Sequence, residues 1–294
     1  MNGVSSPPTT EWTIRSIIEQ FTHRLSENGF DEPRLHVELL LAHALNCSRL
    51  QLYTCIDKPL SPHEFAQFRL ILDRRLAHEP LQYILGEMEF MGLPLFVNRH
   101  VLIPRPETEQ LVEIALASIK SFDPGQVDVL DIGTGSGNIA IAIAAFAPNA
   151  NITAIDVSVD ALVVAKKNAQ RNNIGAINFI HADVLSDDLP SQSFDVIVSN
   201  PPYISLAEFA LLQPEVGDFE PRLATTDEAD GFRFLRRIAN IAAEKLKPNG
   251  LLLMEIAYNQ SEEATHIAHM VGLTNAATLP DFAGHPRFLT ARKP

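Results

Sequence analysis

Apolar side chains in the first 85 residues recur three and four positions apart, which is the spacing of one face of a helix. The positions of the first such run are Ile14, Ile17, Ile18, Phe21 and Leu25. A second run lies within Pro33–Leu45, and a third begins at Ser61-Pro62-His63-Glu64, a sequence typical of a capped helix start. Residues 1–85 are therefore predicted to form a small helical bundle.

The pattern changes at Gly86. The short apolar runs Met88–Phe90 and Leu93–Val97 are separated by Gly92, which predicts a β-hairpin. The two prolines that follow, Pro104 and Pro106, predict an extended entry into a further helix. We interpret residues 86–105 as a hairpin linker between the bundle and a second domain, residues 106–294.

From Val127 onwards, apolar runs of strand length alternate with runs of helical spacing. The predicted strands are Val127–Ile132, Asn151–Asp156, Asn178–His181, Phe194–Ser199 and Gly250–Ile256. The predicted helices are Ile139–Ala147, Ser158–Asn172, Gly231–Leu246 and Gln260–Val271. This alternation predicts an α/β fold with a mostly parallel sheet that is covered by helices on both faces. Such sheets bind ligands at the carboxyl ends of their strands.

Composition and charge narrow the class of protein. Of the 294 residues, 46% are hydrophobic and 20% are charged, which is enough apolar material for a folded core. The 23 basic and 36 acidic residues leave a net charge of −13. Residues 1–85 hold 8 basic and 10 acidic residues, so they contribute −2 and the rest of the chain −11. A surface that holds nucleic acid by neutralising phosphates is therefore not expected.

The cysteines, the N-terminal segment and the longest apolar run indicate in which cell compartment the protein is expected. The two cysteines, Cys47 and Cys55, form neither a zinc-ligand pattern nor a disulfide framework, so no metal is expected. Met1–Thr10 is polar and lacks the apolar core of a signal peptide. The longest apolar run, Ile139–Ala147, has nine residues, fewer than the ~20 of a spanning helix. We expect a cytoplasmic protein with no membrane contact.

The first chemical motif is the glycine-rich stretch DIGTGSG, residues 131–137, which follows a strand and opens a helix. Glycines let the backbone turn sharply and approach a ligand closely. The spacing is GxGxG rather than the GxGxxG of dinucleotide sites, and no Walker lysine follows. A pyrophosphate site is therefore not predicted, and a tight strand-to-helix turn without a ligand stays an alternative.

Two acidic residues follow the next strands. Asp156 ends a predicted strand and can accept hydrogen bonds from ribose hydroxyls, or alternatively cap the next helix. Asp183 can accept from an adenine amine, or serve only as a loop aspartate. Together with the glycine turn they describe a nucleoside pocket without phosphates, which fits S-adenosylmethionine. Asp131 can lie near the cationic end of that molecule or be a structural acid.

The second motif is Asn200-Pro201-Pro202-Tyr203, which follows the strand Phe194–Ser199. The Asn200 side-chain oxygen and the Pro201 carbonyl can accept both N–H bonds of a planar NH2 group. Tyr203 can stack on that group. Placement is then expected to outweigh acid–base chemistry in methyl transfer. A rigid exit from the strand is the alternative interpretation.

In chain order, these motifs resemble class I S-adenosylmethionine-dependent methyltransferases that act on planar NH2 groups. The stretch 79–113, which contains the sequence IPRPETE, is similar to a narrower group, the release-factor glutamine methyltransferase family, often called HemK or PrmC. The resemblance continues through FEPRLAT (219–225), DGFRFLRRI (230–238), KPNGLLLMEI (247–256) and DFAGHPRFLTARK (281–293).

The resemblance implies N5-methylation of the glutamine in the Gly-Gly-Gln motif of class I peptide chain release factors, with the bundle positioning the protein substrate. It implies cofactor contacts at Asp131, Gly133, Thr134, Gly135, Ser136, Gly137, Asp156, Asp183, Val184 and Asn200. It implies catalytic and substrate contacts at Asn200, Pro201, Pro202 and Tyr203. No nucleic-acid partner is implied, and we expect a monomer.

Two positions depart from the family pattern, and a third matches it without an assigned role in the reaction. Families of this type often place an aromatic residue where Val184 stands, to pack on adenine. Thr225–Ala229 stands where a glycine pair is common, and we expect a surface loop there. Arg105 belongs to the family signature; its simplest role is structural, at the entry to the second domain, and a role near the pocket is the alternative.

Three other functions remain open. A sister enzyme that methylates a ribosomal-protein glutamine would share the motifs. An adenine-N6 methyltransferase of nucleic acids would also suit NPPY, although the charge disfavours it. A non-catalytic, cofactor-binding regulator is the alternative from a different class.

Overall fold

The computed structural model describes residues 12–122, 125–186, 189 and 191–294. It divides into two compact units, Met1–Leu85 and Gly86–Pro294. The polar segment Met1–Thr10, for which no signal peptide is predicted, lies outside the described residues.

The first unit is helical in its described part. Its helices are α1 (Ile14–Glu27), α2 (Pro33–Ala44), α3 (Arg49–Thr54), α4 (Pro62–Leu76) and α5 (Leu81–Leu85). The three helices predicted from apolar spacing are confirmed as α1, α2 and α4. All five apolar residues predicted for the face of α1 are buried. The capping box of Ser61 and Glu64 is also confirmed, because each side chain bonds the backbone N–H of the other.

The second unit begins with the predicted hairpin, which is confirmed. Strand β1 (Glu87–Phe90) pairs antiparallel with β2 (Leu93–Phe96). Gly92, at the turn, has a φ of 74°, a left-handed conformation that glycine adopts without steric cost. Helix α6 (Pro106–Ile119) follows and starts at the predicted proline.

Strands and helices then alternate along the rest of the unit. The strands are β3 (Val127–Ile132), β4 (Ala150–Asp156), β5 (Ile177–His181), β6 (Phe194–Ser199), β7 (Leu246–Glu255), β8 (Thr274–Pro280) and β9 (Pro286–Arg292). The helices are α7 (Asn138–Phe146), α8 (Val159–Arg171), α9 (Leu206–Phe209), α10 (Pro214–Gly217), α11 (Arg222–Thr225), α12 (Arg233–Lys245) and α13 (Ser261–Met270).

One sheet of seven strands joins these elements in the order β5-β4-β3-β6-β7-β9-β8. Strands β3 to β7 are parallel, and β9 pairs antiparallel with both β7 and β8. The mostly parallel sheet is therefore confirmed. The antiparallel strands β8 and β9 and the short helices α9 to α11 were not predicted from the sequence.

Side chains alternate between the two faces of the sheet, and each face is covered by helices. Leu130 and Ile132 of β3 pack with residues of α12 and α13 in one core. Val127 and Val129 of the same strand pack with residues of α6 and α7 in the other. This alternation confirms helices on both faces.

The strand order reverses between β3 and β6, because β4 and β5 lie beyond β3 and β7 lies beyond β6. A crevice opens at such a reversal, outside the carboxyl ends of the two strands. The hydroxyl of Ser199, the last residue of β6, donates to the carbonyl of Ile132 at 2.8 Å and holds the two strand ends together. The fold thus places DIGTGSG and NPPY side by side.

No helix in the described part of the chain is long and apolar enough to cross a bilayer.

Candidate active site

A cavity of about 260 Å³ lies at the carboxyl ends of β3, β4, β5 and β6. Its lining residues fall within the stretches 100–108, 132–139, 155–161, 182–185, 199–202 and 221–238. The fold therefore collects the two sequence motifs, the ends of four strands and the start of α6 around one space.

The glycine-rich turn forms the floor of this cavity. The N–H groups of Gly133 and Thr134 donate to the carbonyl of Ile155 at 2.9 and 3.0 Å, which ties the turn to β4. Gly133 and Gly135 have φ values of 73° and 55°. A Cβ built at Gly133 would meet no atom within 4 Å, so a side chain there would project into free space. The turn is open to a ligand as well as conformationally demanding.

Asp156 lines the cavity at the end of β4. One of its carboxylate oxygens accepts the N–H of Gly135 and the other that of Ser158, both at 2.8 Å. Ser158, and not Asp156, caps α8. Burial raises the pKa of Asp156, while the N–H groups of Ser158 and Gly135 oppose that shift. Each oxygen retains a lone pair for a ribose hydroxyl.

Asp131 is fully buried beneath the turn, and its carboxylate accepts the hydroxyl of Thr134 at 2.7 Å. Burial raises the pKa of Asp131 to about 7, and the charge of Asp156 acts in the same direction. Gly137 is the N-cap residue of α7 and packs against Ala165 of α8. Neither Asp131 nor Gly137 is among the described residues that line the cavity.

The wall beyond β5 contains Asp183 and Val184. Asp183 accepts the N–H of Leu185 at 2.9 Å and the hydroxyl of Ser186 at 2.8 Å, and these bonds lower its pKa. The side chain of Val184 is buried and its carbonyl accepts from Arg237 at 2.7 Å. An apolar surface thus stands beside an ionised carboxylate at this end.

The charged side chains that line the cavity suit a nucleoside rather than a nucleotide. Among the described lining residues there is no lysine or arginine, while Asp156 and Asp183 are present. A phosphate would lack a cation and meet carboxylates. Ribose hydroxyls, an adenine amine and a cationic sulfonium all suit these acidic acceptors, so the residues present fit S-adenosylmethionine.

The NPPY motif forms the opposite wall. Asn200, Pro201 and Pro202 line the cavity, whereas Tyr203 is not among the described lining residues. The Nδ2 of Asn200 donates to the hydroxyl of Thr108 at 3.1 Å. None of the hydrogen bonds within the described part of the chain reaches the Oδ1 of Asn200. That oxygen is free to accept from a ligand.

A buried carboxylate stands behind Asn200. Glu255, the last residue of β7, accepts the hydroxyl of Thr108 at 2.8 Å and the hydroxyl of Tyr203 at 3.2 Å. Burial raises the pKa of Glu255 to about 7, and the same cause raises that of Tyr203. The phenol of Tyr203 therefore binds Glu255 behind the cavity wall. The stacking of Tyr203 on the substrate stays a prediction.

The segment Thr225–Ala229 differs from the expected surface loop in its first three residues, whereas Glu228 and Ala229 are exposed as expected. Thr225, Thr226 and Asp227 are buried, and the expectation was wrong for them. The reason is that Thr226 forms a β-bridge with Ile204, and the carboxylate of Asp227 accepts the N–H of Arg233 at the start of α12.

Arg105 has the structural role expected for it. Its guanidinium donates to the buried carboxylate of Glu220 at 2.6 Å. Pro221, the next residue, lines the cavity. The ion pair therefore fastens one wall of the cavity to the start of α6.

Three polar residues of the site were missed from the sequence: Thr108, Glu255 and Asn168. Asn168 on α8 donates to the carbonyl of Ser136 at 2.9 Å and exchanges two bonds with the backbone of Phe96 in β2. Only Glu255 carried a signal in the sequence, as a single acidic residue in the apolar run LLLMEI, whereas Thr108 and Asn168 stand among polar residues. Only the fold shows which polar group each one meets.

Comparison with known families gives two matches. Residues 16–86 match the family described as PrmC N-terminal domain. Residues 125–278, slightly more than half of the chain, match the family described as Methyltransferase domain.

Full-length relatives are similar over nearly the whole chain. The release factor glutamine methyltransferase of Geobacter sulfurreducens is 42% identical over 281 residues, which are 96% of this chain and 97% of that protein. The protein of the same name from Rhodopirellula baltica is 38% identical over 288 residues, 97% of each chain.

Among solved structures, the 16S rRNA N2 G1207 methyltransferase of Thermus thermophilus, in complex with AdoMet and guanosine, superimposes with a TM-score of 0.50. It is 17% identical and covers 71% of this chain and 50% of its own. This likeness concerns the fold alone.

Proposed function

The chain belongs to the release factor glutamine methyltransferase family, and from that premise we propose the reaction and the residues that perform it. The proposed reaction transfers a methyl group from S-adenosylmethionine to the side-chain nitrogen of a glutamine. The proposed substrate is a class I peptide chain release factor, at the glutamine of its Gly-Gly-Gln motif. We place the reaction in the cytoplasm, where translation terminates.

The acid-lined half of the cavity is the proposed cofactor site. The turn from Gly133 to Ser136 and the carboxylates of Asp156 and Asp183 would hold the nucleoside, with Val184 against its base. S-adenosylmethionine supplies a methyl group on a cationic sulfur, an electrophile that needs neither a metal nor a covalent enzyme intermediate.

The single observation that carries the proposal is the free side-chain oxygen of Asn200, which lies on the cavity wall beside Pro201. Two acceptors, this oxygen and the Pro201 carbonyl, can take both hydrogens of a glutamine amide. The nitrogen lone pair then faces the cofactor half of the cavity. The same acceptors stabilise the positive charge that grows on nitrogen during the transfer.

An amide nitrogen is a weak nucleophile, so orientation has to provide much of the acceleration. Proline suits the wall because it offers no N–H that would compete for the acceptors. The cationic methylated nitrogen is strongly acidic and loses its proton to solvent water after transfer, so Asn200 and Pro201 need not accept it. The proposed site therefore works by placement and by fixed dipoles.

The test is to incubate the purified protein with S-adenosylmethionine labelled in its methyl group and a class I release factor. A matched release factor in which the glutamine of Gly-Gly-Gln is replaced by asparagine serves as the control substrate. We expect label on the native factor alone, and the methylated position is identified by mass spectrometry.

Label on both factors would contradict the proposed residue. Label on neither, with cofactor binding shown by calorimetry, would contradict the proposed substrate. Ribosomal proteins and nucleic acid would then be tested. Activity on nucleic acid would fall steeply with salt, because phosphate contacts release counterions. Cofactor binding without turnover on any of them would favour a non-catalytic regulator.

A further inference from the structure

A chain of hydrogen bonds runs from the cavity wall into the core of the second unit. Asn200 donates to Thr108, Thr108 donates to Glu255, and Tyr203 donates to the other oxygen of Glu255. The side chains of Thr108 and Glu255 are each about 1% exposed, so water does not compete for these groups.

The register of the sheet explains why these groups meet. Ser199 of β6 lies beside Met254 of β7, and the two strands are parallel. The next residues, Asn200 just after β6 and Glu255 at the end of β7, are therefore neighbours. Thr108 lies in the first turn of α6, which packs against both strands.

Above about pH 7, where the Glu255 carboxyl group is ionised, the donors and acceptors of this chain permit only one arrangement. An ionised carboxylate can only accept, so Thr108 has to give its single proton to Glu255. The hydroxyl oxygen of Thr108 is then left as an acceptor towards Asn200. Asn200 must therefore turn its NH2 group to Thr108, and its Oδ1 to the cavity.

The opposite orientation of the Asn200 carboxamide is penalised. A half-turn about its last side-chain bond would set its oxygen against the lone pairs of Thr108, with no proton between them. It would also present NH2 to a glutamine amide, so that donors would face donors. A buried polar group left without its partner costs roughly 1–3 kcal/mol.

We propose that Thr108 and Glu255 are positioning residues that fix the orientation of the Asn200 carboxamide, so that its oxygen faces the substrate amide. This inference rests on the proposed function of Asn200. It assigns to Thr108, which also lines the cavity, and to Glu255, which lies behind the wall, a part in the reaction that is exerted through Asn200.

The experiment compares Thr108→Val, which keeps the shape and loses the hydroxyl, with Thr108→Ser, which keeps the hydroxyl. Thr153→Val is the matched control, because Thr153 is a buried threonine of β4 whose hydroxyl, among the described residues, accepts only from Gln192. Glu255→Gln tests the carboxylate, since a carboxamide can donate to Thr108 and permit the reversed arrangement. The readouts are kcat, the KM for release factor and the Kd for S-adenosylmethionine.

We expect Thr108→Val and Glu255→Gln to lower kcat by roughly five- to twentyfold, as for one lost buried hydrogen bond. The Kd for the cofactor should stay within about twofold, because the changes lie outside the proposed cofactor half. Thr108→Ser should restore kcat to within about threefold of wild type, and Thr153→Val should not change it.

A double variant separates positioning from a general structural effect. If Thr108 acts only through Asn200, then Thr108→Val should lower kcat no further in an Asn200→Ala background. Multiplication of the two effects would overturn the proposal. So would wild-type kcat in Glu255→Gln, a variant that stays informative where Thr108→Val fails to fold.

A spectroscopic readout makes the inference independent of the substrate. The side-chain amide signals of Asn200, identified by their loss in Asn200→Ala, should shift in Thr108→Val and not in Thr153→Val. A wild-type protein that fails to methylate release factor but shows this shift contradicts the proposed function alone. An active wild type with no shift contradicts the positioning role alone.

Discussion

The two ends of the Asn200 carboxamide differ in their partners. Its NH2 group is held by Thr108, while its oxygen accepts from no described residue. That oxygen is accessible from the cavity, so water can satisfy it until a ligand that donates a hydrogen bond replaces the water.

The first prediction concerns this residue. Asn200→Ala removes one fixed acceptor for the substrate amide, and we expect kcat to fall by roughly 10²–10³. The Kd for S-adenosylmethionine, measured by calorimetry, should change little, because the nucleoside contacts remain. A kcat close to that of wild type would remove Asn200 from the mechanism.

The second prediction concerns Asp156, whose two oxygens anchor Gly135 and Ser158 and face the cavity. Asp156→Ala should raise the Kd for S-adenosylmethionine by roughly 10- to 100-fold, since charged hydrogen bonds contribute about 1.5–3 kcal/mol each. The control is Glu262→Gln, which removes one negative charge from the exposed start of α13. Equal Kd values for the two variants would contradict the assignment of Asp156.

At the scale of elements, local sequence patterns were sufficient to predict the bounds of strands that are short apolar runs between polar turns. The bounds of β3 and β6 agree with the predicted ones, because each is a short β-branched run between polar turns. Helix α12 begins at Arg233 and not at Gly231, because Gly231 has a φ of 88° and its backbone approaches that of Tyr203.

Elements that depend on distant partners could not be predicted in this way. Most residues of β8 are exposed or half-buried, so no alternation marks it, and only its pairing with β9 makes it a strand. The contact of Thr108 with Glu255 likewise joins residues 147 positions apart. The motifs were sufficient to predict the cavity. The residues that support its wall, such as Thr108 and Glu255, could be recognised only in the assembled sheet.

The third prediction concerns the packing of α7 against α8. A Cβ at Gly137 would lie 2.9 Å from the Cδ1 of Ile141 and 3.1 Å from the Cβ of Ala165. Gly137→Ala should therefore lower the free energy of unfolding by roughly 2–4 kcal/mol, from overpacking and from its positive φ together.

Gly272→Ala isolates the backbone contribution, because Gly272 has a φ of 86° but no atom within 4 Å of its Cβ position. We expect it to cost about 1 kcal/mol. Urea denaturation of both variants measures the difference. Equal losses would show that helix packing does not explain the glycine at position 137.

At the scale of the whole molecule, buried acids set how stability depends on pH. Burial raises the pKa of Asp131 and of Glu255 to about 7, from ordinary values of 3.8 and 4.5. Near Glu255, Arg287 opposes this rise and Glu107 adds to it. Between about pH 4 and pH 7 the folded chain therefore binds more protons than the unfolded chain.

The fourth prediction follows from that sign. The free energy of unfolding should decrease by a few kcal/mol, in order of magnitude, as the pH rises from about 5 to 8. Asp131→Asn and Glu255→Gln should each flatten this dependence, measured by urea denaturation at several pH values. A stability that rises over the same interval in the wild-type protein would contradict the burial of these acids.

The strand order has a consequence for the synthesis of the protein. Strand β7 is synthesised after the proposed cofactor-binding turns, and Glu255 follows NPPY by more than fifty residues. A nascent chain that ends before β7 can carry every proposed nucleoside contact and still lack the support behind Asn200. The full set of residues proposed for methyl transfer is thus in place only after β7 has joined the sheet.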